Sequence, residues 1–518
     1  MKRKFIKTLI LSFLIFQSLT FSAKALSVDY LAGIDRYETA ALIADKISYS
    51  TAILVNGYSL VDGLSASGLS GTLNAPILLT EKDSIPNVTL NKIQNADTVY
   101  LIGGEHVISK NIETQLINMG KNIKRLSGSD RYITSFMVAD EINNLKGINE
   151  IYYVNGLTGE ADAMSIAPVA AKNANPIILT NGKETSYRKS VKAYSIGGTS
   201  VLGTYFDSFS ERLGGQNRFE TNKLIIDKFF QDKSHVYLSK SEELIDALTS
   251  SALKEPVVLV DNYSNKSVIA STKSFTVLGN IDQTAVNKAK SYVYSDTVVF
   301  YSQHQDDETL FAGSAIVDAI KSVGKENVYI VLISDGDETG VFEDERYQNL
   351  TLSQKATLRN NEFIAATTQL GVPKENLLFL NLPEKQIDKE LVGNTILSFE
   401  QKYKNVTHVT HTYKYDSHPQ HLKMGEILYN LYNKGLIKDC RFFAKKEFMP
   451  SNINQKLLIE GVSDDAEERQ KILNACYEYK LDNKDMIREG IGYKSVQSLF
   501  DNLTSDPLNT SYLHEPGI

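Results

Sequence analysis

The sequence predicts an α/β protein in which one small unit is used three times and is followed by a different α/β domain. Three observations carry this. The block Gly33-Ile34-Asp35-Arg36-Tyr37-Glu38-Thr39 returns as Gly128-Ser129-Asp130-Arg131-Tyr132-Ile133-Thr134 and as Gly215-Gln216-Asn217-Arg218-Phe219-Glu220-Thr221. After each block, short apolar runs alternate with helical patterns, which implies parallel strands joined by helices. Past Ser295 the block stops, and a new strand–helix alternation begins with His and Asp clustered at strand ends. At 518 residues the chain is too long for one core.

The first 25 residues have the layout of a secretory signal peptide. Lys2, Arg3, Lys4 and Lys7 precede the apolar stretch Thr8 to Phe21, and Ala23-Lys24-Ala25 offers a small-x-small cleavage site. The apolar part is short for a retained span, and no membrane span is expected after cleavage. Removal of this segment takes away five basic residues and no acidic one, moving the formal charge from −7 to −12. No overall field favours nucleic acid. Cys440 and Cys476 are the two cysteines, so no disulfide framework supports an exported fold; they either pair or are buried free thiols. There is no Trp, which leaves sugar stacking to Tyr and Phe.

Within the repeats, Asp35, Asp130 and Asn217 stand where helices begin, as N-caps, with Glu38 and Glu220 three residues later as in a capping box. Apolar runs follow at Ala52 to Val55, Ile151 to Val154 and Val236 to Leu238. A second set follows Pro76, Pro176 and Pro256, and a third ends at Gly104, Gly198 and Gly279. Asp62, Asp162 and Asp246 lie at matching points in the intervening helices. The period of roughly 90 residues suits a small domain rather than a solenoid unit.

These blocks resemble the type-2 cell-wall-binding repeats of Gram-positive surface proteins, over about residues 28 to 292. The resemblance implies a pseudo-threefold assembly that holds an anionic cell-wall polymer without a covalent link. Repeat limits of 26–120, 121–210 and 211–292 follow. The loops at Gly103-Gly104 and Gly197-Gly198 are either phosphate cradles or tight turns. Arg36, Arg131 and Arg218 either meet anions or pair with nearby carboxylates. Asn280 breaks the double glycine in the third copy, which reads as architectural.

In the remaining segment, 295–518, Thr297 to Tyr301 reads as a buried strand ending in Ser302-Gln303-His304-Gln305-Asp306-Asp307-Glu308. Val328 to Ser334 gives a second strand, before Asp335-Gly336-Asp337-Glu338. Val406 to Thr412 gives a later one, before Tyr413-Lys414-Tyr415-Asp416-Ser417-His418-Pro419-Gln420-His421. Parallel sheets bind ligands beyond the C-terminal ends of their strands, where all three clusters fall. His with Asp is the ligand mix of hydrolytic zinc sites. One turn brings His304 and Asp307 together, and Pro419 at a first helical turn puts His418 and His421 on one face. The segment beyond about Arg441 reads as α-rich.

These clusters resemble the two motifs of the LmbE-like (PIG-L) deacetylases, with Arg359 and Glu362 of Arg-Asn-Asn-Glu between them, over about Val298 to Leu431. The resemblance implies a Rossmann-like α/β deacetylase domain with His304, Asp307 and His421 as zinc ligands. It also implies Asp306 as general base, and His418 as a catalytic group that stabilises the oxyanion. Arg359 either grips sugar hydroxyls or forms a helix-surface ion pair. Two residues depart from the family. Gln305 replaces a proline and is expected to loosen the metal loop. Gln420 replaces an aspartate beside His418, so a neutral amide orients that ring unless Asp416 compensates. His411 is either second to the ligands or structural, and His408 has no role.

The expectation is a secreted, cell-wall-anchored zinc deacetylase of the surface layer, acting on N-acetylglucosamine-type sugars in wall glycans or their fragments. The alternative is a structural or glycan-binding surface protein with an inactive deacetylase-like domain.

Overall fold

The computed structural model describes residues 26–403, 405–449, 458–463 and 465–518; the expected signal peptide lies outside the described residues. Three four-stranded parallel sheets precede one of seven strands. The first sheet runs in the order Ile77–Thr80, Thr51–Asn56, Thr98–Ile102, Asn122–Leu126. The second runs Ile177–Thr180, Glu150–Asn155, Lys192–Ile196, Glu211–Leu213, with the same topology.

The third sheet is completed from the other end of the chain. Val257–Val260, His235–Lys240 and Ser274–Leu278 are joined by Ser27–Leu31, in register from Ser27 opposite Ser274 to Leu31 opposite Leu278. The fourth strand of each of these three sheets thus lies just before a repeated block, and Asn122–Leu126 and Glu211–Leu213 follow the limits 120 and 210 that the period suggests. The three units close into a ring, each passing its last strand directly into the first helix of the next.

The repeated block is a helix-start device. Asp35, Asp130 and Asn217 cap the helices Arg36–Ala44, Arg131–Lys146 and Arg218–Phe229. Glu38 and Glu220 reach one residue further back than a capping box requires, accepting from the N–H of Ile34 and Gln216. Thr39, Thr134 and Thr221 accept from the N–H of Gly33, Gly128 and Gly215 at 3.1 Å. A Cβ at Gly33 would stand 2.5 Å from the Glu38 Cβ, which explains the leading glycine.

At the centre, helices Ala66–Leu73 and Glu160–Asn173 and the turn Ser251–Leu253 touch one another pairwise, giving the pseudo-threefold arrangement. A Cβ at Gly71 would meet the Ala171 carbonyl oxygen at 1.8 Å, so only glycine permits this approach. Asp62, Asp162 and Asp246 are buried beneath the loop glycines Gly103, Gly197 and Gly279. The N–H groups of those glycines donate to Leu126, Leu213 and Leu31 in the fourth strands. They form tight turns, with those three N–H groups engaged within the sheet. Arg36, Arg131 and Arg218 donate to the carbonyls of Gly57, Gly156 and Ser241, tying each helix to a strand end.

The seven-stranded sheet has the order Leu377–Leu382, Val328–Ser334, Thr297–Ser302, Val406–His411, Asp439–Phe443, Ser511–His514, Leu458–Gly461. Its first five strands are parallel, Ser511–His514 runs antiparallel to them, and Leu458–Gly461 pairs antiparallel with Ser511–His514. The segment after Arg441 therefore supplies sheet edge as well as the helices Ala466–Lys480 and Gln497–Ser505. The third repeat and this domain share one apolar core, in which Phe275, Val286 and Tyr292 join Phe300, Ala315 and Ile472. Polar ties cross the same seam, from Asn265 Nδ2 to the Glu460 carbonyl and from Tyr294 Oη to the Ala315 carbonyl. Cys440 and Cys476 are free and buried. Among the described residues, no helix is long and apolar enough to cross a membrane.

Candidate active site

Strands Thr297–Ser302 and Val406–His411 lie side by side, and the strand order departs from them in opposite directions. This is the topological switch point, where a crevice opens beyond the strand ends. The loops after both strands meet there. His304 Nδ1 lies 3.2 Å from His421 Nε2 and 3.3 Å from Asp307 Oδ2. His421 Nε2 lies 3.4 Å from the same Asp307 oxygen. A tetrahedral ion with bonds of about 2.0 Å has ligand atoms about 3.3 Å apart, so this triangle fits one face of such a shell.

The rings around that triangle are held in the tautomers a metal needs. Asp416 Oδ2 is 2.8 Å from His421 Nδ1, so Nδ1 carries the proton and the Nε2 lone pair faces Asp307. Gln420 donates its amide to the Glu384 carbonyl, which turns Oε1 toward His304 Nε2 at 3.2 Å. His304 then carries its proton on Nε2, with the Nδ1 lone pair facing Asp307. Burial works to lower His421, yet Asp307 and Asp416 push it up, to about 9. Asp307 is held well below its usual range by His421 and His411, against the effect of burial. With both carboxylates beside it the His421 ring favours a second proton on Nε2, and an ion held there would take the place of that proton.

Gln420 and Asp416 therefore do not serve His418. Gln420 fixes His304, and Asp416 fixes His421 while accepting from the His418 backbone N–H at 2.9 Å. His418 is the N-cap of helix Pro419–Asn433, with Pro419 in the first turn. Its Nδ1 is buried with no hydrogen-bond partner among the described residues. Burial, with His421 and His304 beside it, lowers His418 to about 4, so the ring is neutral at pH 7.

Asp306 has φ +105°, a left-handed conformation costly for a side chain. The loop over-determines it. Its N–H donates to Glu308 Oε2, and its carbonyl accepts from Thr309 and Leu310. Its carboxylate takes both Nη atoms of Arg359 at 3.3 Å. Glu308 in turn accepts from Thr309 Oγ1 and Tyr479 Oη. Burial raises Asp306 to about 7, with Arg359 opposing that rise.

Arg359 is buried rather than on a helix surface. Its Nη2 also donates to the Gln305 carbonyl at 2.6 Å, and its Nε points to Gln305 Oε1. Gln305 is fully buried and stitches the loop instead of loosening it, donating to the Asp335 carbonyl and Asn360 Oδ1. Glu362 accepts from the N–H groups of Ile491 and Gly492, pinning the C-terminal segment over Arg359.

His411 lies 3.2 Å from Asp307 Oδ2 and stacks on His421 at 3.9 Å. Its Nε2 accepts from the Gln303 N–H, and burial lowers it to about 4, which makes it a neutral wall of the site. His408 lies elsewhere in the core, between Tyr301 Oη and Glu400. Sequence reasoning missed Glu384, 3.4 Å from His304 Nε2, and Tyr479. Glu384 follows the end of strand Leu377–Leu382, and a carboxylate at a strand end was the available signal.

The Cell wall binding domain 2 (CWB2) family matches residues 31–113, 125–205 and 212–335, more than half of the chain. The chain belongs to that family. The third match runs on into strands that the structure assigns to the seven-stranded sheet. That sheet carries a GlcNAc-PI de-N-acetylase (PIG-L) domain, matched over residues 299–432. The chain is 30% identical over 347 residues to N-acetylmuramoyl-L-alanine amidase LytC of Bacillus subtilis (strain 168), spanning 61% of this chain and 69% of that protein. Cwp8 from Clostridium difficile shares 29% identity at a TM-score of 0.49, over 52% of each chain. The N,N'-diacetylchitobiose deacetylase from Pyrococcus horikoshii shares 16% identity at a TM-score of 0.31, over 43% of this chain and 85% of that one.

Proposed function

We propose that the chain is an exported, wall-attached zinc deacetylase that hydrolyses N-acetyl groups of N-acetylglucosamine-type sugars in wall glycans or their fragments. The observation that carries this is the convergence of His304 Nδ1, His421 Nε2 and Asp307 Oδ2 within 3.4 Å, with both imidazole tautomers fixed from behind. His304, Asp307 and His421 would hold the ion, leaving a position for water. Zinc bound there supplies Lewis-acid activation of water and of the acetamide carbonyl.

The chain's own residues do the rest. Asp306 accepts the proton of the attacking water, and Arg359 opposes the rise that burial imposes on its carboxyl, favouring the ionised form. His418 Nδ1 has no hydrogen-bond partner among the described residues, and in the tautomer that carries its proton there it would donate to the substrate carbonyl oxygen. The water oxygen bonds to the carbonyl carbon, the C–N bond then breaks to release acetate, and the proton taken by Asp306 passes to the leaving amine. His411, Phe311 and Phe443 form an aromatic wall beside the ligands that limits water. The repeats would hold an anionic wall polymer and keep this site at the cell surface.

The test is metal analysis of the mature protein with acetate release measured on a panel of N-acetylated sugars. One zinc-class ion per chain and acetate release lost on chelation are expected. A metal-free protein, or a loaded one that releases no acetate from any glycan, would favour the inactive binding module.

A further inference from the structure

The three repeats differ between the second and third consecutive strands of each sheet. In the first repeat this segment carries helix Asn87–Ile93, whose Lys92 pairs with Asp45. In the third it carries the short turn Ser267–Ile269 beside Lys266, which is fully buried, and Lys273 pairs with Asp296. The second repeat has no helix there. Residues 181–191 form a loop that, with Lys192, bears Lys183, Arg188, Lys189 and Lys192 against Glu184, with Glu150 and Glu211 on the strands either side of Lys192.

Arg188, Lys189 and Lys192 are exposed, and among the described residues none has a carboxylate at ion-pair distance. They are arranged on aromatic faces instead. The Arg188 guanidinium carbon sits 3.8 Å from the Phe209 ring centroid, and Lys192 Nζ sits 4.8 Å from that of Tyr194. Stacking holds the guanidinium plane and leaves its N–H edges free for an oxyanion. With Ser190 and Val191 these groups line an open recess of about 660 Å³. Tyr205, packed against Phe209 and 41% exposed, offers a face to a sugar ring. Such a cationic patch on a chain whose charge is strongly negative overall selects for anions locally.

We propose that this loop of the second repeat is the principal contact for an anionic wall glycan, so that the three copies share a fold but not the binding work. The proposal rests on the wall-anchoring reading of the repeats. The test uses the full mature chain and isolated walls of the producing organism, with binding followed by sedimentation across a salt series. The triple variant R188Q/K189Q/K192Q is expected to bind at least about tenfold more weakly and with a flatter salt dependence, while its melting temperature and acetate release match the parent. The control K46Q/K82Q/K110Q, which neutralises exposed lysines of the first repeat, is expected to bind as the parent does. A parent that fails to sediment overturns the anchoring reading and the proposal together. A parent and triple variant that sediment equally overturn the proposal alone, as does a control that loses as much as the triple variant.

Discussion

Gln420 Oε1 accepts from His304 Nε2 at 3.2 Å, and this amide fixes which nitrogen of His304 faces Asp307. The amide's orientation is set by its donation to the Glu384 carbonyl. A neutral side chain thus does for His304 what the Asp416 carboxylate does for His421.

Metal affinity should depend on both supports. Gln420→Ala and Asp416→Asn are each expected to weaken binding of the ion by roughly 10–100-fold, whereas His304→Ala and His421→Ala remove most of it. Chelator competition on the purified proteins measures this. Unchanged affinity in Gln420→Ala would show that the tautomer of His304 is set by something else.

Asp306 separates binding from chemistry. Asp306→Asn should retain metal and lose acetate release by roughly 10²–10⁴-fold. A parental rate in that variant would remove Asp306 from the role of base.

Arg359 gives the base a pH signature. Burial raises Asp306 to about 7 and the guanidinium opposes the rise. Removing the cation lets the carboxyl move higher still, so the acid limb of the rate profile in Arg359→Met should shift to higher pH. A limb that stays in place while KM rises would instead assign Arg359 to the substrate.

The buried aspartates of the ring predict a pH dependence of stability. Burial raises Asp162 and Asp246 to about 6 in the folded protein, from an ordinary 3.8. The native state therefore holds more protons than the unfolded chain between about pH 4 and pH 6, and stability from these groups falls as pH rises through that window. Asp162→Asn with Asp246→Asn should flatten the fall, gaining about 2 kcal/mol per site at pH 7 relative to pH 4. Denaturant melts at the two pH values test it, and equal differences at both would refute the assignment.

The strand Ser27–Leu31 should act as a clasp. Deleting residues 26–31 bares the edge of Ser274–Leu278 and removes a five-residue parallel pairing. A loss of about 3 kcal/mol or more is expected, with new proteolysis in the third repeat. A melting curve that matches the parent would show that the ring does not need closing.

Local relationships were legible in the sequence because they lie within one turn of helix or strand. Asp35, Asp130 and Asn217 as caps, His304 with Asp307, and Pro419 opening the helix that carries His421 are all set by spacing and backbone geometry. The strand–helix alternation likewise gave parallel sheets, and with them a site at strand ends. Only the tertiary structure decided the partners of side chains that reach across the sheet. Gln420 faces His304 rather than His418, and Arg359 turns inward onto Asp306. Glu384 arrives from a strand two places away, and Ser27–Leu31 pairs with a strand more than two hundred residues distant. Periodicity reports which face of an element is buried. It holds no information on what stands opposite, because that depends on how separate elements pack and on which buried polar atom remains to be satisfied.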